Sequence, residues 1–354
     1  MEAESSTHYM QLPREVIVGT NILDRVGEVC TGLGFHGTAL VVSGPVTYPL
    51  AGVRVAKSAT KSGLRVDHVI VKESTEKELA LIVESLRKMK PSIVLGVGGG
   101  KDIDLAKLGS SRASVPFVSI PTAASHDGIA SPYASIKGGE KPYSIRAQAP
   151  IAILGDIEVI ANSPYDLLAA GCGDIVAKFS AVKDWQLAHK LKNEYYGDYA
   201  AELALMSAEL VTRNVKEIVN RSIDGVRTVV EALISCGVAM SIAGSSRPCS
   251  GAEHLFSHAL DIVAGETSLH GGRTGVGAVL CSYLHGSNWE SIREFLQEIG
   301  APSTAKELNV TAEQVVKALT MAHSLRPERY TILGETGVTE AAAEKVARAT
   351  GVIG

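Results

Sequence analysis

Short apolar runs recur through the first part of the chain, and an amphipathic stretch separates each run from the next. The runs are ALVVSG, VDHVIVKE, SIVLGVG, VPFVSIPT and IAILGD, which begin at Ala39, Val66, Ser92, Val115 and Ile151. In the clearest amphipathic stretch, TEKELALIVESLRKMK, the apolar residues from Leu79 to Leu86 fall on one helical face, and Pro91 then ends the pattern. Strands that alternate with helices in this way predict a mostly parallel sheet.

The pattern changes after Ser163 and Pro164, which suit the cap and the first position of a helix. From there to the end no strand-like run occurs. Long alanine- and leucine-rich helical patterns take over, and the best of them are YDLLAAGCGDIVAKFSAVKDW, DYAAELALMSAELVTRNVKEIVN, SIDGVRTVVEALISCGVAMSIAG and EHLFSHALDIVAG. We therefore predict an α/β fold with two domains, residues 1–162 around the sheet and residues 163–354 entirely helical.

One segment of the first part has a different pattern. YASIKGGEKPYSIRA, from Tyr133, alternates around Gly138 and Gly139. This predicts a β-hairpin that projects from the sheet, and we expect it to flank a cleft.

The composition is that of an ordinary globular protein. The chain has 354 residues, of which 45% are hydrophobic and 20% charged. This length suits about two domains, and the balance excludes a disordered or fibrous chain. A formal net charge of −4 with no basic stripe argues against nucleic acid as a partner.

The cysteines and the amino terminus bear on the cellular location. The five cysteines are odd in number and lack CxxC spacing, so neither a disulfide framework nor a zinc ribbon is predicted. The amino terminus, MEAESSTHYM, is polar and acidic, and no apolar run approaches the roughly 18 residues of a membrane span. We therefore expect a cytoplasmic protein that does not insert into membranes.

A glycine-rich turn, GVGGGKDIDLAK from Gly96 to Lys107, follows one of the apolar runs and opens a helical segment. The first turn of a helix presents unpaired N–H groups and the positive end of the macrodipole, so an anion is stabilised there. Gly98, Gly99 and Gly100 have no side chain that would block a pyrophosphate. A plain tight turn explains an isolated glycine triplet equally well, so the motif alone is weak.

Polar residues inside the apolar helical patterns suggest a second site. Asp174 stands in LLAAGCGDIVAKF, where a carboxylate is desolvated unless a positive charge pairs with it. Lys178, one turn on, is one candidate partner. A metal ion is the other, because His254 and His258 share one helical face and His270 follows nearby. An aspartate with two imidazoles offers Zn²⁺ or Fe²⁺ three ligands and leaves positions open, as catalytic sites do.

The loop SIPTAASHDGIAS directly follows a strand, which places it at the carboxyl edge of the sheet. Thr122, Ser125 and Ser131 could donate hydrogen bonds to a cofactor there, and His126 and Asp127 could point into the cleft. An Asx-turn, in which Asp127 serves its own backbone, is the alternative.

The order of these motifs resembles a known superfamily. GGGKDID, PTAASHDGIAS, AAGCGDIVAK, SGAEHLFSHAL and LHGGRTGVG follow one another as in the iron-containing alcohol dehydrogenase, glycerol dehydrogenase and dehydroquinate synthase superfamily. Within it, the HDG triplet and the SGAEHLFSHAL block are most similar to the sn-glycerol-1-phosphate dehydrogenases. The similarity runs over nearly the whole chain. It implies a Rossmann-like amino-terminal domain, a helical carboxyl-terminal domain and a divalent metal in the cleft between them.

The resemblance also implies roles for individual residues. The positions that match metal ligands are Asp174, His254 and His270, with Zn²⁺ favoured. Substrate-contacting and catalytic positions are matched by Asp127 and His258, with Asp174 also facing the substrate. The positions that match NAD(P)H-binding residues are Gly98, Gly99, Gly100, Lys101, Asp102, Thr122 and Ser131. The piece HGGRTGVG departs from the expected HGE-type sequence, which leaves the role of Arg273 open.

The activity that the resemblance implies is reduction of dihydroxyacetone phosphate to sn-glycerol 1-phosphate by NADH or NADPH, which supplies the glycerol backbone of archaeal membrane phospholipids. The main alternative is glycerol dehydrogenase, which acts on an uncharged polyol, and dehydroquinate synthase is a weaker one. A non-catalytic metal or nucleotide sensor is an alternative of another class, since fold alone does not prove activity. A homo-oligomer is expected, as is common for soluble enzymes.

Two details of binding follow from charge. A phosphorylated substrate requires a local positive pocket in an acidic chain, and the candidates that flank these loops are His126, Lys137, Arg146 and Arg273. Ser43, at the end of the strand LVVSG, stands where NAD-specific folds place a carboxylate, so we predict little discrimination between NADH and NADPH. Arg54 or Lys57 on the next helix could reach a 2′-phosphate. Ser43 could also simply end its strand.

Overall fold

The structure, a computed structural model, describes residues 8–136, 145–265 and 267–354. Its strands are β1 (Glu15–Gly19), β2 (Thr38–Ser43), β3 (Arg65–Ile70), β4 (Ile93–Gly98), β5 (Phe117–Pro121), β6 (Tyr133–Ala134), β7 (Ile145–Arg146) and β8 (Ala152–Asp156). Six of them form one sheet in the order β1-β8-β5-β4-β2-β3, and every neighbouring pair is parallel. The predicted parallel sheet is confirmed.

The central strands are apolar throughout because helices cover both faces of the sheet. Ala39 and Val41 pack into the core on one face, and Leu40 and Val42 into the core on the other. This two-sided burial is why the strands appear in the sequence as continuous apolar runs. The helices of this part are α1 (Val26–Gly32), α2 (Val53–Lys61), α3 (Glu76–Met89), α4 (Gly100–Arg112) and α5 (Ile157–Ala161).

The carboxyl ends of the central strands meet at one edge of the sheet. Ser43 at the end of β2 is in register with Val97 in β4, and Gly98 is in register with Pro121 at the end of β5. β3 pairs with one edge of β2 and β4 with the other, so the direction in which successive strands are added to the sheet reverses at β2. Open parallel sheets bind ligands at such a reversal, outside the carboxyl ends of the strands.

The predicted hairpin is present as the antiparallel pair β6 and β7, in which Tyr133 faces Arg146. Its turn, which contains Gly138 and Gly139, lies outside the described residues.

All secondary structure described after Asp156 is helical. The helices are α6 (Tyr165–Val176), α7 (Lys178–Lys192), α8 (Asp198–Arg213), α9 (Val215–Val219), α10 (Ile223–Ala243), α11 (Ala252–Ala264), α12 (His270–Leu284), α13 (Trp289–Glu298), α14 (Ala312–Leu325) and α15 (Glu340–Ala349). They share one large apolar core that also includes Ile153 of β8, so the helical part packs directly against the sheet.

Two helical patterns are interrupted where one helix each was predicted. The first breaks at Ala177, where the Ser180 hydroxyl oxygen lies 3.0 Å from the Ala177 carbonyl oxygen. The second breaks at Asn214, whose side-chain amide donates to the Leu210 carbonyl oxygen at 2.7 Å.

The start of α6 also differs from the prediction, since Pro164 is the cap and Tyr165 the first helical residue. Pro164 has the extended ψ of 134°, and the Ser163 hydroxyl instead donates backwards to the Ile160 carbonyl oxygen at 2.7 Å.

The expectation that no segment approaches a membrane span was wrong on length and composition. Helix α10 has 21 residues and is apolar enough to cross a membrane. However, 67% of its most apolar window is buried inside the fold, as in the core helix of a soluble protein. Val229, Val230 and Leu233 of α10 belong to the main apolar core.

Candidate active site

The glycine-rich turn connects β4 to α4 and leaves its backbone open on one side. Gly98 has a φ of 153°, and a Cβ there would lie 2.1 Å from Oδ2 of Asp102. A Cβ on Gly100 would lie 1.8 Å from Nε2 of His126, whereas nothing lies within 4 Å of a Cβ on Gly99. Side chains therefore pack against the turn at Gly98 and Gly100, whereas the turn is open at Gly99. It lies at the amino terminus of a 13-residue helix.

The polar residues around the turn hold it in place. Asp102 is buried, and the hydroxyl of Thr47 donates to its Oδ2 at 2.9 Å. Burial raises the pKa of Asp102, although the charge of Lys101 opposes the shift. The Lys101 ammonium itself donates to the Lys72 carbonyl oxygen at 2.8 Å. These two residues are thus held by contacts within the protein, and their predicted contacts with the cofactor stay a prediction.

Ser43 has no exposed surface, and its hydroxyl donates to the Val97 carbonyl oxygen at 2.7 Å. This favours the interpretation that Ser43 ends its strand. Its contact with the cofactor ribose stays a prediction. Of the two basic residues on the next helix, Arg54 pairs with Asp24 at 2.8 Å, whereas Lys57 lines a surface cavity of about 480 Å³ beside β3.

The loop after β5 lies against the turn. The Thr122 N–H donates to the Gly98 carbonyl oxygen at 2.9 Å, and the buried Ser131 hydroxyl donates to the Tyr133 carbonyl oxygen at 3.1 Å. Ser125 and His126 are half-buried. The structure thus brings the predicted cofactor residues of the two motifs to one edge of the sheet.

Asp174, His254 and His270 come together from α6, α11 and α12. One ligand atom of each lies within 4.8 Å of the others. Glycines in α6 make this approach possible: a Cβ on Gly171 would lie 2.0 Å from the Ala124 carbonyl oxygen, and one on Gly173 would lie 2.3 Å from the Gly271 carbonyl oxygen. The small residues of AAGCGDI therefore let α6 touch both the loop after β5 and the start of α12.

Glu253 orients His254 toward the shared point. The Nδ1–H of His254 donates to Oε1 of Glu253 at 2.9 Å, and its Nε2 lies 3.5 Å from Oδ1 of Asp174. Glu253 is fully buried and also accepts from the Gly251 N–H at 2.6 Å and the Ser180 hydroxyl at 2.9 Å. A carboxylate on the far nitrogen of a histidine is a common support for a metal ligand. The donor set therefore fits a divalent metal.

The pKa values of the histidines agree with that geometry. Burial lowers the pKa of His254, but the hydrogen bonds to Asp174 and Glu253 outweigh it and raise the value to about 9. Burial and the charge of His254 hold the pKa of His270 well below its usual range. A cation at this point competes with the proton on His254, so its affinity rises with pH.

A buried lysine completes the centre. Nζ of Lys178, with no exposed surface, lies 2.9 Å from Oδ1 of Asp174 and 2.7 Å from Oδ2 of Asp127. Asp174 also accepts from the Asp127 N–H at 2.9 Å through its other oxygen. Although burial opposes charge, both carboxylates raise the pKa of Lys178 well above its usual range. The ion pair of Asp174 with Lys178 is thus present together with the histidine cluster, and it ties Asp127 to the same centre.

His258 and His126 both lie near His270. Their rings lie 6.2 Å and 6.4 Å from the His270 ring. Burial, and then neighbouring positive charges, lower the pKa of His258 to about 3, so its ring is neutral at physiological pH. Nδ1 of His126 accepts from the Gly128 N–H at 2.8 Å, and the ring lies between Gly100 and the cluster. His126 therefore lies between the glycine turn and the histidine cluster.

Lys107 was not identified from the sequence, although it belongs to the glycine motif. Its ammonium has no exposed surface and donates to the carbonyl oxygens of Gly128 and Tyr133, each at 2.6 Å. It also lies 3.3 Å from Oδ1 of Asp104. A lysine in an otherwise buried helix was the available signal, because a buried ammonium requires such partners.

Arg273 is buried and held by partners within the protein. Its guanidinium pairs with Asp261 at 3.1 Å and donates to the Ser268 carbonyl oxygen. Arg146 is exposed on β7, and Lys137 lies outside the described residues. The site as a whole places the open glycine turn beside the cluster of Asp174, His254 and His270, with His258 and the lysine-bound Asp127 around it.

The chain has close relatives among known proteins. The family described as iron-containing alcohol dehydrogenase matches residues 17–164. The protein called glycerol-1-phosphate dehydrogenase [NAD(P)+] of Pyrococcus furiosus is 52% identical over 346 residues, 98% of this chain and 100% of that protein. The protein of the same name from Methanosarcina mazei is 50% identical over 350 residues, 99% of this chain and 98% of that one.

Solved structures share the fold at lower identity. Glycerol dehydrogenase from Schizosaccharomyces pombe has a TM-score of 0.80 at 20% identity and covers 98% of this chain and 91% of its own. A probable glycerol dehydrogenase from Sinorhizobium meliloti has a TM-score of 0.78 at 19% identity and covers 97% and 98%. These likenesses confirm the predicted fold class.

Proposed function

The chain belongs to the glycerol-1-phosphate dehydrogenase family, and we propose that it reduces dihydroxyacetone phosphate to sn-glycerol 1-phosphate with NADH or NADPH. The observation that carries this proposal is the placement of the Asp174, His254 and His270 cluster beside the open glycine turn. The chain is about half identical, over nearly its whole length, to proteins called glycerol-1-phosphate dehydrogenase [NAD(P)+], and this supports a phosphorylated substrate. The likeness to glycerol dehydrogenases concerns the fold alone.

The glycine turn is the binding site that we propose for the pyrophosphate of NAD(P)H. Its backbone is open at Gly99, and the amino terminus of α4 favours an anion there. Thr122, Ser125 and Ser131 line the adjoining loop and would contact the nicotinamide half. Bound there, the cofactor supplies the hydride.

Asp174, His254 and His270 would hold one divalent metal, with Zn²⁺ favoured by the mixture of imidazole and carboxylate donors. A bound metal would act as a Lewis acid on the oxygen that becomes negative during reduction. Glu253 keeps Nε2 of His254 directed at this point through the hydrogen bond to Nδ1.

The chain's own residues orient the substrate and handle its proton. Lys178 fixes the carboxylate of Asp127 at 2.7 Å, so Asp127 can accept a hydrogen bond from a substrate hydroxyl at a defined position. His258 is neutral and can take or give a proton at its ring. It lies one helical turn from His254, on the same side of α11. We propose Asp127 and His258 as the substrate-contacting residues.

Several wider assignments accompany this function. We propose that residues 1–162 bind the cofactor and that residues 163–354 hold the metal and most of the substrate site. We also propose a homo-oligomeric, cytoplasmic enzyme of membrane phospholipid biosynthesis. Sedimentation of the purified protein tests the oligomeric part, and a monomer at all concentrations would exclude it.

The activity is tested by following NADH oxidation at 340 nm with the metal-loaded protein. Dihydroxyacetone phosphate and dihydroxyacetone are compared as substrates at equal concentrations. We expect turnover of the phosphorylated compound with the higher kcat/KM. Equal kcat/KM for both would move the assignment to a glycerol dehydrogenase, and no turnover of either would favour a sensor.

A further inference from the structure

Two cations are assigned to Asp174 in this site, an ammonium and a divalent metal. Lys178 donates to Oδ1 of Asp174 at 2.9 Å. Nε2 of His254 lies 3.5 Å from the same oxygen, and the Asp127 N–H donates to the other oxygen at 2.9 Å. Each carboxylate oxygen of Asp174 therefore already has a donor. A metal that takes Asp174 as a ligand has to compete with one of these donors.

Lys178 is too deeply buried to turn toward water. It is the first residue of α7, follows Asp174 by one helical turn and has no exposed surface. A buried ammonium requires partners within the protein. The second partner of Lys178 is Asp127, whose Oδ2 lies 2.7 Å from Nζ. Lys178 can therefore release Asp174 to a metal and still keep a carboxylate beside it.

The two carboxylates in turn depend on the ammonium. Asp174 is fully buried and Asp127 is half-buried, and their oxygens lie 2.9 Å and 2.7 Å from one nitrogen atom. Removal of one partner from a buried ion pair leaves an uncompensated charge, which is strongly unfavourable. When no metal is bound, the charge of Lys178 therefore keeps the carboxylate of Asp127 next to the carboxylate of Asp174.

We propose that Lys178 is a positioning residue with two functions. It balances the charge of Asp174 when no metal is bound, and it holds Asp127 in place for the substrate when the metal is bound. This rests on the proposed metal site and not on the identity of the substrate. Lys178 then lowers metal affinity, because like charges repel. A carboxylate that supports a ligand, such as Glu253, has the opposite effect.

The test compares Lys178→Met with the wild-type protein in two measurements. The first is Zn²⁺ affinity at pH 8, measured on the full chain by competition with a chromophoric chelator after metal has been removed and folding checked. Changes beside a metal ligand typically alter affinity about 10- to 100-fold, and we expect a gain of this size because a competing positive charge is lost.

The second measurement is kcat/KM for dihydroxyacetone phosphate with the Zn²⁺-loaded protein. We expect it to fall about 10- to 100-fold, because Asp127 loses the group that fixes it and a displacement of about 1 Å can cost this much. Tighter metal binding together with slower turnover separates a positioning role from a merely structural one, since general damage to the site would weaken both.

Two lysines serve as controls. Lys183 lies on the same helix, is exposed and donates to the Ser287 hydroxyl at 2.5 Å, so Lys183→Met should change neither value. Lys107 has no exposed surface either, but its partners are Asp104 and carbonyl oxygens of another segment. Lys107→Met should therefore lose stability without any gain in Zn²⁺ affinity.

If Lys178→Met does not fold, variants of Asp127 decide the question. Asp127→Asn leaves the ammonium with Asp174 alone, so we expect weaker Zn²⁺ binding than in the wild type. The double variant Lys178→Met/Asp127→Asn also removes the ammonium and keeps the net charge of the wild type. We expect it to bind Zn²⁺ at least about 10-fold more tightly than Asp127→Asn does.

The outcomes distinguish this proposal from the proposed function. Unchanged or weaker Zn²⁺ binding in folded Lys178→Met would overturn the role of Lys178, as would equal affinities in Asp127→Asn and the double variant. A wild-type protein that binds no Zn²⁺ would instead overturn the proposed metal site. A wild-type protein that binds Zn²⁺ but does not turn over dihydroxyacetone phosphate would overturn the proposed reaction and leave the metal-affinity test in force.

Discussion

The substitution Glu253→Gln tests the support of the metal site with little change in shape. The carboxylate accepts the Gly251 N–H and the His254 Nδ1–H on one oxygen and the Ser180 hydroxyl on the other. A glutamine can keep its carbonyl oxygen toward the first two groups and donate its amide to Ser180. The Ser180 hydroxyl can then donate to the Ala177 carbonyl oxygen, which already lies at 3.0 Å. The variant therefore removes the charge and keeps the contacts.

The expected magnitude follows from that difference. A hydrogen bond to a charged group contributes about 1.5–3 kcal/mol, against about 0.5–1.5 kcal/mol for a neutral one. Loss of such a supporting partner typically lowers metal affinity about 10- to 100-fold, or roughly 1.4–2.7 kcal/mol. Because Glu253 also helps to raise the pKa of His254 to about 9, protons compete with the metal more strongly in the wild type. The loss should therefore be largest near pH 9 and smaller at pH 7.

The assay is competition for Zn²⁺ with a chromophoric chelator, measured from pH 7 to 9 on protein whose folding has been checked. Asp184→Asn is the control. Asp184 is an equally buried carboxylate that accepts from the Ala252 and Ile332 N–H groups, each at 2.6 Å, and its histidine partner is His285, whose Nε2 lies 2.9 Å from Oδ1. Unchanged affinity in Glu253→Gln, or an equal loss in both variants, would refute the reasoning.

Three further predictions address the other parts of the site. Asp174→Asn and His254→Ala should lose the metal, whereas His258→Ala should keep the metal and lose turnover, as elemental analysis and kinetics can show. If the first two variants retain the metal and full activity, the proposed ligand set is excluded. Gly99→Ala should leave the melting temperature unchanged but weaken NADH binding, because the Cβ of the new alanine meets no protein atom and lies at the open turn. Unchanged NADH affinity, measured by fluorescence titration, would contradict the proposed cofactor site. Lys107→Met should lower the free energy of unfolding by about 3–5 kcal/mol, because it leaves Asp104 and two carbonyl oxygens buried without their partner. Lys101 is part-exposed, so Lys101→Met should lower the free energy of unfolding by under about 1 kcal/mol, and equal losses in urea denaturation would contradict this prediction.

The sequence predicted the elements that depend on local pattern. The parallel strands follow from short apolar runs, and the open turn before α4 follows from three glycines between a strand and a helix. Polar residues in apolar helices predicted a site that joins Asp174 to two or three histidines, and the resemblance to the superfamily selected His254 and His270. The ion pair of Asp174 with Lys178 was also accessible, since the two residues are four apart on one helix.

The remaining features depend on contacts between distant segments. No local pattern shows that Lys178 also reaches Asp127, 51 positions earlier, or that Lys107 holds the carbonyl oxygens of the loop after β5. The face of the sheet on which the Ser43 side chain lies could not be predicted either, because it depends on the register of the strand.

The most direct test of the central claim is the stereochemistry of the product. Dihydroxyacetone phosphate is reduced to completion with NADH and the metal-loaded enzyme, and the glycerol phosphate is then offered to an sn-glycerol-3-phosphate-specific dehydrogenase with NAD⁺. We predict stoichiometric NADH oxidation in the first step and no NADH formation in the second, because the product is sn-glycerol 1-phosphate. Complete oxidation of the glycerol phosphate in the second step, or no turnover of dihydroxyacetone phosphate in the first, would contradict the proposed function.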